Sequence, residues 1–350
     1  MESNFFTQIN YFAYSGDWAD NFVDECEWSC RRVLTRVASD PKQGRAMRPL
    51  PIELLEARRL LAVIYVDRSA PNGTNIVTSW THAFRRLQDA LPSASDGDEI
   101  RVADGSYQPT GINDKSFDIE ADIKLLGGYA GYGAPNPNAR NADSHVTTLT
   151  RSINAQSGYY NLGISEENAE VTIDGFRIST HLVIDGISVN VVISNCRFLN
   201  TSQSDIFASS QAGRVRISDS TFSGSAGAER AISGQETTAF IIKNCTFSNY
   251  EGASDVVSVQ AISRISDCVF TDNSTRSLNI NVGEVFRCAF ADNISSTDGT
   301  IKVSVGERVD INYCTFDNNH ANVSGGAIYV QGLGTVSKHN PKISLDHRQM

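Results

Sequence analysis

The chain lacks any apolar run able to cross a bilayer. Its longest, Leu60 to Val66, falls well short of the roughly 20 residues a spanning helix needs. It also lacks a basic excess: 30 Lys and Arg stand against 40 Asp and Glu, a formal net charge of −10. Without surplus cations to release counterions from a phosphate backbone, nucleic acid is not an expected partner. Histidine is sparse and scattered, at His82, His145, His181, His320, His339 and His347, so neither a catalytic triad nor a metal cluster is legible. The double glycines Gly127-Gly128 and Gly325-Gly326 are not followed by the Lys and Ser or Thr of a phosphate loop. No cofactor and no metal are expected. What remains is 40% apolar and 20% charged with only 9 Pro, the composition of a folded, strand-rich chain.

The first 46 residues hold Cys26 and Cys30 but no compact basic, apolar and small-residue export signal. Either export takes another route or the true start is Met47, which precedes the segment RPLPIELLEARRLLAV.

From residue 171 the sequence repeats itself, and such a period decides the fold before any local reading. The units are VTIDGFRI (171–178), VVISNCRF (191–198), VRISDSTF (215–222), FIIKNCTF (240–247), SRISDCVF (263–270), VGEVFRCAF (282–290) and VDINYCTF (309–316). Their closing residues, Ile178, Phe198, Phe222, Phe247, Phe270, Phe290 and Phe316, are 20 to 26 positions apart, so fixed strands alternate with loops of adjustable length. Apolar residues inside each unit alternate in period two, which predicts two short strands. They meet at Gly175, Asn195, Asp219, Asn244, Asp267, Arg287 and Tyr313, mostly residue types that tolerate a left-handed bend.

A third strand is expected ahead of each closing Phe, at Leu182 to Ile187, Asp205 to Ala208, Arg230 to Ser233, Val256 to Val259, Leu278 to Val282 and Thr300 to Val305. Three strands per coil predict an all-β, single-stranded right-handed parallel β-helix whose apolar interior is buried only by stacking. Cys196, Cys245, Cys268, Cys288 and Cys314 share one register, with Phe176 and Ser220 in the other two slots. They read as an interior ladder of small hydrophobes beside the Phe ladder, since residues so far apart in sequence lack the close pairs of zinc sites. Upstream, VIYVD (63–67) predicts a strand, and Ala83, Phe84, Leu87, Ala90 and Leu91 predict one amphipathic helix over about 79–91, started by Thr78 or Ser79, that caps the first coil. The segment 128–145 is expected to be a surface loop.

The runs IYVD, TSWTHAFRRLQDAL (78–91), GDEIRVADGSYQPT (97–110) and LLGGYAGYG (125–133) resemble the opening of bacterial right-handed parallel β-helix surface proteins of pectate-lyase-like architecture. Phe270 to Asn273, Phe290 to Asn293 and Phe316 to Asn319 as Phe-x-x-Asn, with Gly325-Gly326-Ala327-Ile328, resemble the repeats of chlamydial-type polymorphic outer-membrane proteins. Leu55 to Leu61 is similar to a planctomycete surface-protein segment, Leu-Glu-Pro-Arg-x-Leu-Leu, with Ala57 in place of its Pro. These resemblances imply an exported or cell-surface protein and no particular reaction.

The expected organisation is therefore a leader over 1–46, disordered or upstream of the true start, and a surface-protein leader segment over 47–62. The β-helix follows over 63–335, with clear coils at 171–330, and then an irregular, truncated or frameshifted tail over 336–350, for which a capping strand through Ile343 is the alternative. An uncapped last coil offers strand edges to another chain. Enzymes of this fold use carboxylate pairs, and only Asp185 and Asp205 on the third strands are acidic; they are the catalytic candidates. Arg177, Arg197 and Arg216, with Asp174 nearby, are the candidates for binding an acidic glycan. The expectation is a non-enzymatic extracellular or cell-surface protein serving adhesion, surface structure or glycan recognition, with polysaccharide or cell-surface components as partners. A polysaccharide lyase or glycoside hydrolase, or a remnant of a longer surface protein, are the alternatives.

Overall fold

The computed structural model describes residues 61–71, 79–110, 116–151, 162–199, 204–252, 255–304 and 308–331, and the backbone of 335–339, 342–344 and 347–348. The N-terminal expectations, including Cys26, Cys30, Met47 and the planctomycete-like segment up to residue 60, lie outside them, as does Thr78.

Three long parallel sheets of eleven, ten and nine strands, and a fourth of three, hold every strand among the described residues. Each repeat unit contributes one strand to the eleven-stranded sheet and one to the ten-stranded sheet, as Asn190–Ser194 and Arg197–Leu199 do. The third strand of each coil joins the nine-stranded sheet, so neighbours in every sheet come from successive coils. The chain is thus a right-handed parallel β-helix, the hand that parallel crossovers almost always take. All six expected third strands are present: Leu182–Ile184, Ile206–Ala208, Ile232–Gly234, Val257–Val259, Leu278–Ile280 and Ile301–Val303. They are shorter than expected or start a residue or two later, because the flanking residues turn the corner.

Register explains the interior. Phe198, Phe222, Phe247, Phe270, Phe290 and Phe316 pair across adjacent strands. Their rings stack with centroids 4.6 to 5.0 Å apart and near-parallel planes, a spacing imposed by the ~4.8 Å strand separation. The bend between the two strands of each unit takes the left-handed conformation at all seven expected positions, from Gly175 (φ 79°) to Tyr313 (φ 57°).

The cysteines do more than fill space. Each thiol at Cys196, Cys245, Cys268, Cys288 and Cys314 is buried and free and donates to the carbonyl two residues back across the bend, at 3.2, 3.2, 3.1, 3.5 and 3.4 Å. Ser220 makes the same bond from its Oγ to Ser218 O at 2.7 Å. Burial pushes the Cys196 thiol up to about 12, so it stays a neutral donor.

Two expectations are corrected. No single helix spans 79–91: extended backbone at Ala83 and Arg86 separates a 3-10 turn at Trp80–His82 from a four-residue α-helix at Leu87–Ala90, which runs directly into a second 3-10 turn at Leu91–Ser93. Phe84 there pairs with the first strand, its N–H donating to Tyr65 O at 2.9 Å and its carbonyl accepting from Asp67 N at 2.7 Å. Strand pairing has overridden the helical period, although Leu87, Ala90 and Leu91 still lie against the core at this end. The tail is also not irregular throughout. Thr335–His339, Lys342–Ser344 and His347–Arg348 pair in parallel with the preceding coil.

Candidate functional site

Asp185 and Asp205 do not come together. Leu182 pairs with Ile206 and Ile184 with Ala208, so Asp205 stands opposite residue 181 and Asp185 opposite residue 209. Four positions along a strand is on the order of 13 Å, far beyond a retaining glycosidase's carboxylate separation. Asp205 is moreover buried, accepting a short hydrogen bond from the hydroxyl of Tyr250, itself fully buried. Burial, reinforced by the Asp205 charge, holds the Tyr250 phenol well above its ordinary value. This pair is part of the interior, not an exposed reacting centre.

The four glycan candidates divide between two sheets. Arg177 and Arg197 are neighbours in the ten-stranded sheet, whereas Arg216 sits in the eleven-stranded sheet between Val192 and Ile241. The bend in each unit puts its second and seventh positions on different faces of the coil, so one cluster is not formed. Arg197 is held by Asp143 at 2.5 Å. Asp174 is structural: Arg140, Ser194 and Asn195 all donate to its carboxylate. Burial opposes its ionisation, but these hydrogen bonds outweigh burial and hold the carboxyl below its ordinary value.

Asp174 also helps seat the loop that follows Tyr129. Trp80 Nε1 donates to Asn138 Oδ1 at 3.0 Å, Tyr132 N to Asp67 Oδ2 at 2.6 Å, and Arg140 Nε to Gly127 O at 2.8 Å. A Cβ on Gly131 would lie 2.5 Å from the Ala103 Cβ and 2.4 Å from the Asp67 carboxylate, so glycine is what lets the loop approach. Tyr65, Trp80 and Tyr129 pack beneath it, with Arg101 and Arg140 each 5.5 Å from the Tyr129 ring centroid.

Beyond this loop the outer face of the eleven-stranded sheet is open. A groove of about 300 Å³ crosses three of its strands, lined by Glu170, Val171, Thr172, Asn190, Val192, Arg214 and Arg216. Arg214 and Arg216 are two apart on one strand and therefore share a face. Among the described residues neither guanidinium has an ion-pair or side-chain hydrogen-bond partner, in contrast to Arg264, Arg287 and Arg308 on later coils. Arg214 was legible as the i−2 neighbour of Arg216, but grouping by repeat hid it. Such a groove can hold an anionic polymer by charge and by the donors of Thr172 and Asn190. A group of three or more metal-ligating side chains is absent among the described residues.

Arg276, by contrast, is buried and fully used: it pairs with Asp255 at 2.7 Å and reaches Thr297 Oγ1 and Asp298 O.

Residues 313–331 match the model of the Chlamydia polymorphic membrane protein (Chlamydia_PMP) repeat, the segment that contains Phe316-x-x-Asn319 and Gly325 to Ile328. No curated protein matches the chain. Among solved structures, the chain is similar to pectate lyase Pel9A at 12% identity, with 81% of this chain and 80% of that one covered and a TM-score of 0.48. It is similar to a mannuronic acid specific family 6 polysaccharide lyase from human gut microbiota at 14% identity, 74% and 80% coverage and a TM-score of 0.40. For PfbA, a surface adhesin of Streptococcus pneumoniae, the figures are 10% identity, 73% and 86% coverage and a TM-score of 0.39. The sheet order and coil register define the fold, and these likenesses are to the fold alone.

Proposed function

We propose that this chain is a non-enzymatic, secreted or cell-surface parallel β-helix whose outer sheet face binds an acidic glycan in adhesion or surface structure. The observation that carries the reading is the groove with two unpartnered guanidiniums, Arg214 and Arg216, on a sheet whose other arginines are paired. Guanidinium forks suit carboxylate and sulfate groups, and an exposed pair left free costs nothing in desolvation until a ligand arrives. The repeat match at residues 313–331 to a family of membrane proteins supports the surface location.

The test is affinity electrophoresis of the full chain in gels cast with a polyuronate or with a neutral glucan, with new reducing and unsaturated ends assayed on the same samples. Retention by the polyuronate without new ends is expected. The Arg214→Gln, Arg216→Gln double variant should lose most of that retention at low salt, roughly tenfold or more for two charge-assisted contacts. New chain ends from the wild type would replace the binding reading with an enzymatic one.

A further inference from the structure

The bend between the eleven- and ten-stranded sheets is left-handed in every repeat, and Gly175, Asn195, Asp219, Asn244 and Asp267 hold it in five successive coils. The next two coils place Arg287 (φ 51°) and Tyr313 (φ 57°) there, side chains that meet a steric penalty in this conformation. Arg287 is compensated: its guanidinium bonds both oxygens of Asp267, at 2.7 and 3.0 Å, and lies 4.6 Å from the Phe286 ring centroid. Tyr313 is not. It remains 54% exposed, touches Phe286 edge to face at 5.6 Å, and makes no side-chain hydrogen bond among the described residues.

A strained backbone kept for a solvent-facing aromatic points to a gain outside the fold. We propose that Tyr313, backed by Phe286, is a stacking platform for the C–H face of a sugar ring, and that it takes a second part of the same acidic polysaccharide held at Arg214 and Arg216. This rests on the binding reading above. The register runs Arg216, Ile241, Arg264, Glu284, Asp310 across neighbouring strands, which puts Phe286 three strands and Tyr313 four strands, ~19 Å, further along the solenoid axis. Lys243 stands between, in the row of Phe286, and its ammonium forms no ion pair among the described residues. The ligand is therefore an extended anionic chain lying along the axis, over Arg214, Arg216 and Lys243 and onto an aromatic end. A protein partner would have to desolvate Arg287, at the bend just before Tyr313, together with its partner Asp267, to reach an apolar area this small.

Tyr313→Asn tests this, because it installs the residue type found at Asn195 and Asn244. The variant should unfold at a higher temperature, by about 2 °C from the relieved backbone. Its retention in a polyuronate gel should fall about tenfold, the worth of one stacking contact, and the loss should persist at high salt, where the arginine contribution is screened. Tyr313→Phe should keep retention. Unchanged retention in Tyr313→Asn, with Arg214→Gln, Arg216→Gln still impaired, would overturn the platform and leave the groove standing. A fall in both stability and retention would make Tyr313 a packing residue and overturn the platform too. No retention of the wild type by any polyuronate would overturn both readings.

Discussion

A single residue type can carry the logic of this fold. Asn273, Asn293 and Asn319 follow their closing Phe by three positions, each is 1% exposed, and together they form a ladder. Asn293 Nδ2 donates to Asn319 Oδ1 and to Phe270 O, both at 2.9 Å, while its Oδ1 accepts from Asn273 Nδ2 at 2.9 Å. An amide has donors and an acceptor to spare, so it satisfies the backbone of the preceding coil's corner and the amides on both sides. Tyr250 fills the same slot one coil earlier and turns its hydroxyl to Asp205 instead. Asn293→Ala strands several buried polar groups at ~1 kcal/mol or more each. The expected loss is about 3 kcal/mol, or about 6 °C in Tm for a domain of this size, read by circular dichroism melting. A loss under about 1 °C would mean that water replaces the amide.

At the scale of elements, the readable parts were those with a short period and a fixed chemistry. Bends at Asn195 or Asp267, the Phe stack and the third strands were all legible, because alternation and left-handed tolerance are local properties. The Phe-x-x-Asn motif was visible, yet its ladder was not, since its partners sit 20 and 26 positions away. The thiol-to-carbonyl bond had one signal, Ser220 in a cysteine slot, and size alone concealed it. The capping helix misled because five apolar residues fit its period while Phe84 answered to Tyr65, a contact no window contains. The loop after Tyr129 was legible only as a loop, and its seating depends on Asp174. That carboxyl has a folded pKa below its ordinary 3.8, so its contribution is fully present above pH 3.8 and is lost as pH falls through the lower folded value. Asp174→Asn should therefore reduce stability at neutral pH, by leaving Arg140 without its anion, and flatten the melting temperature's decline below pH 4. Parallel acid limbs for the two proteins would show that the Arg140 contact is not coupled to folding.

For the whole molecule, stability is a sum over coils and the interfaces between them, because each strand pairs only with the coil before and the coil after. The 23-residue interval between Phe247 and Phe270 is one complete turn, and its two ends occupy the same register position. Deleting residues 248–270 joins Phe247 to Thr271, which keeps the Phe-x-x-Asn order with Asn273 and brings Cys245 next to Cys288. It also removes a stacked Phe and one coil's share of burial. The shortened chain should fold with unchanged strand signal per residue and a lower Tm, whereas a globular core would not survive loss of a central segment this long. The same deletion brings the Arg214 and Arg216 groove ~5 Å closer to Tyr313, so an axial ligand bound at both places loses its match while each contact survives. Retention in a polyuronate gel should then fall towards that of Tyr313→Asn without reaching that of the double arginine variant. A chain that folds and binds as tightly as the full one would show that the spacing along the axis carries no recognition, and an aggregated one would show that these coils are not interchangeable units.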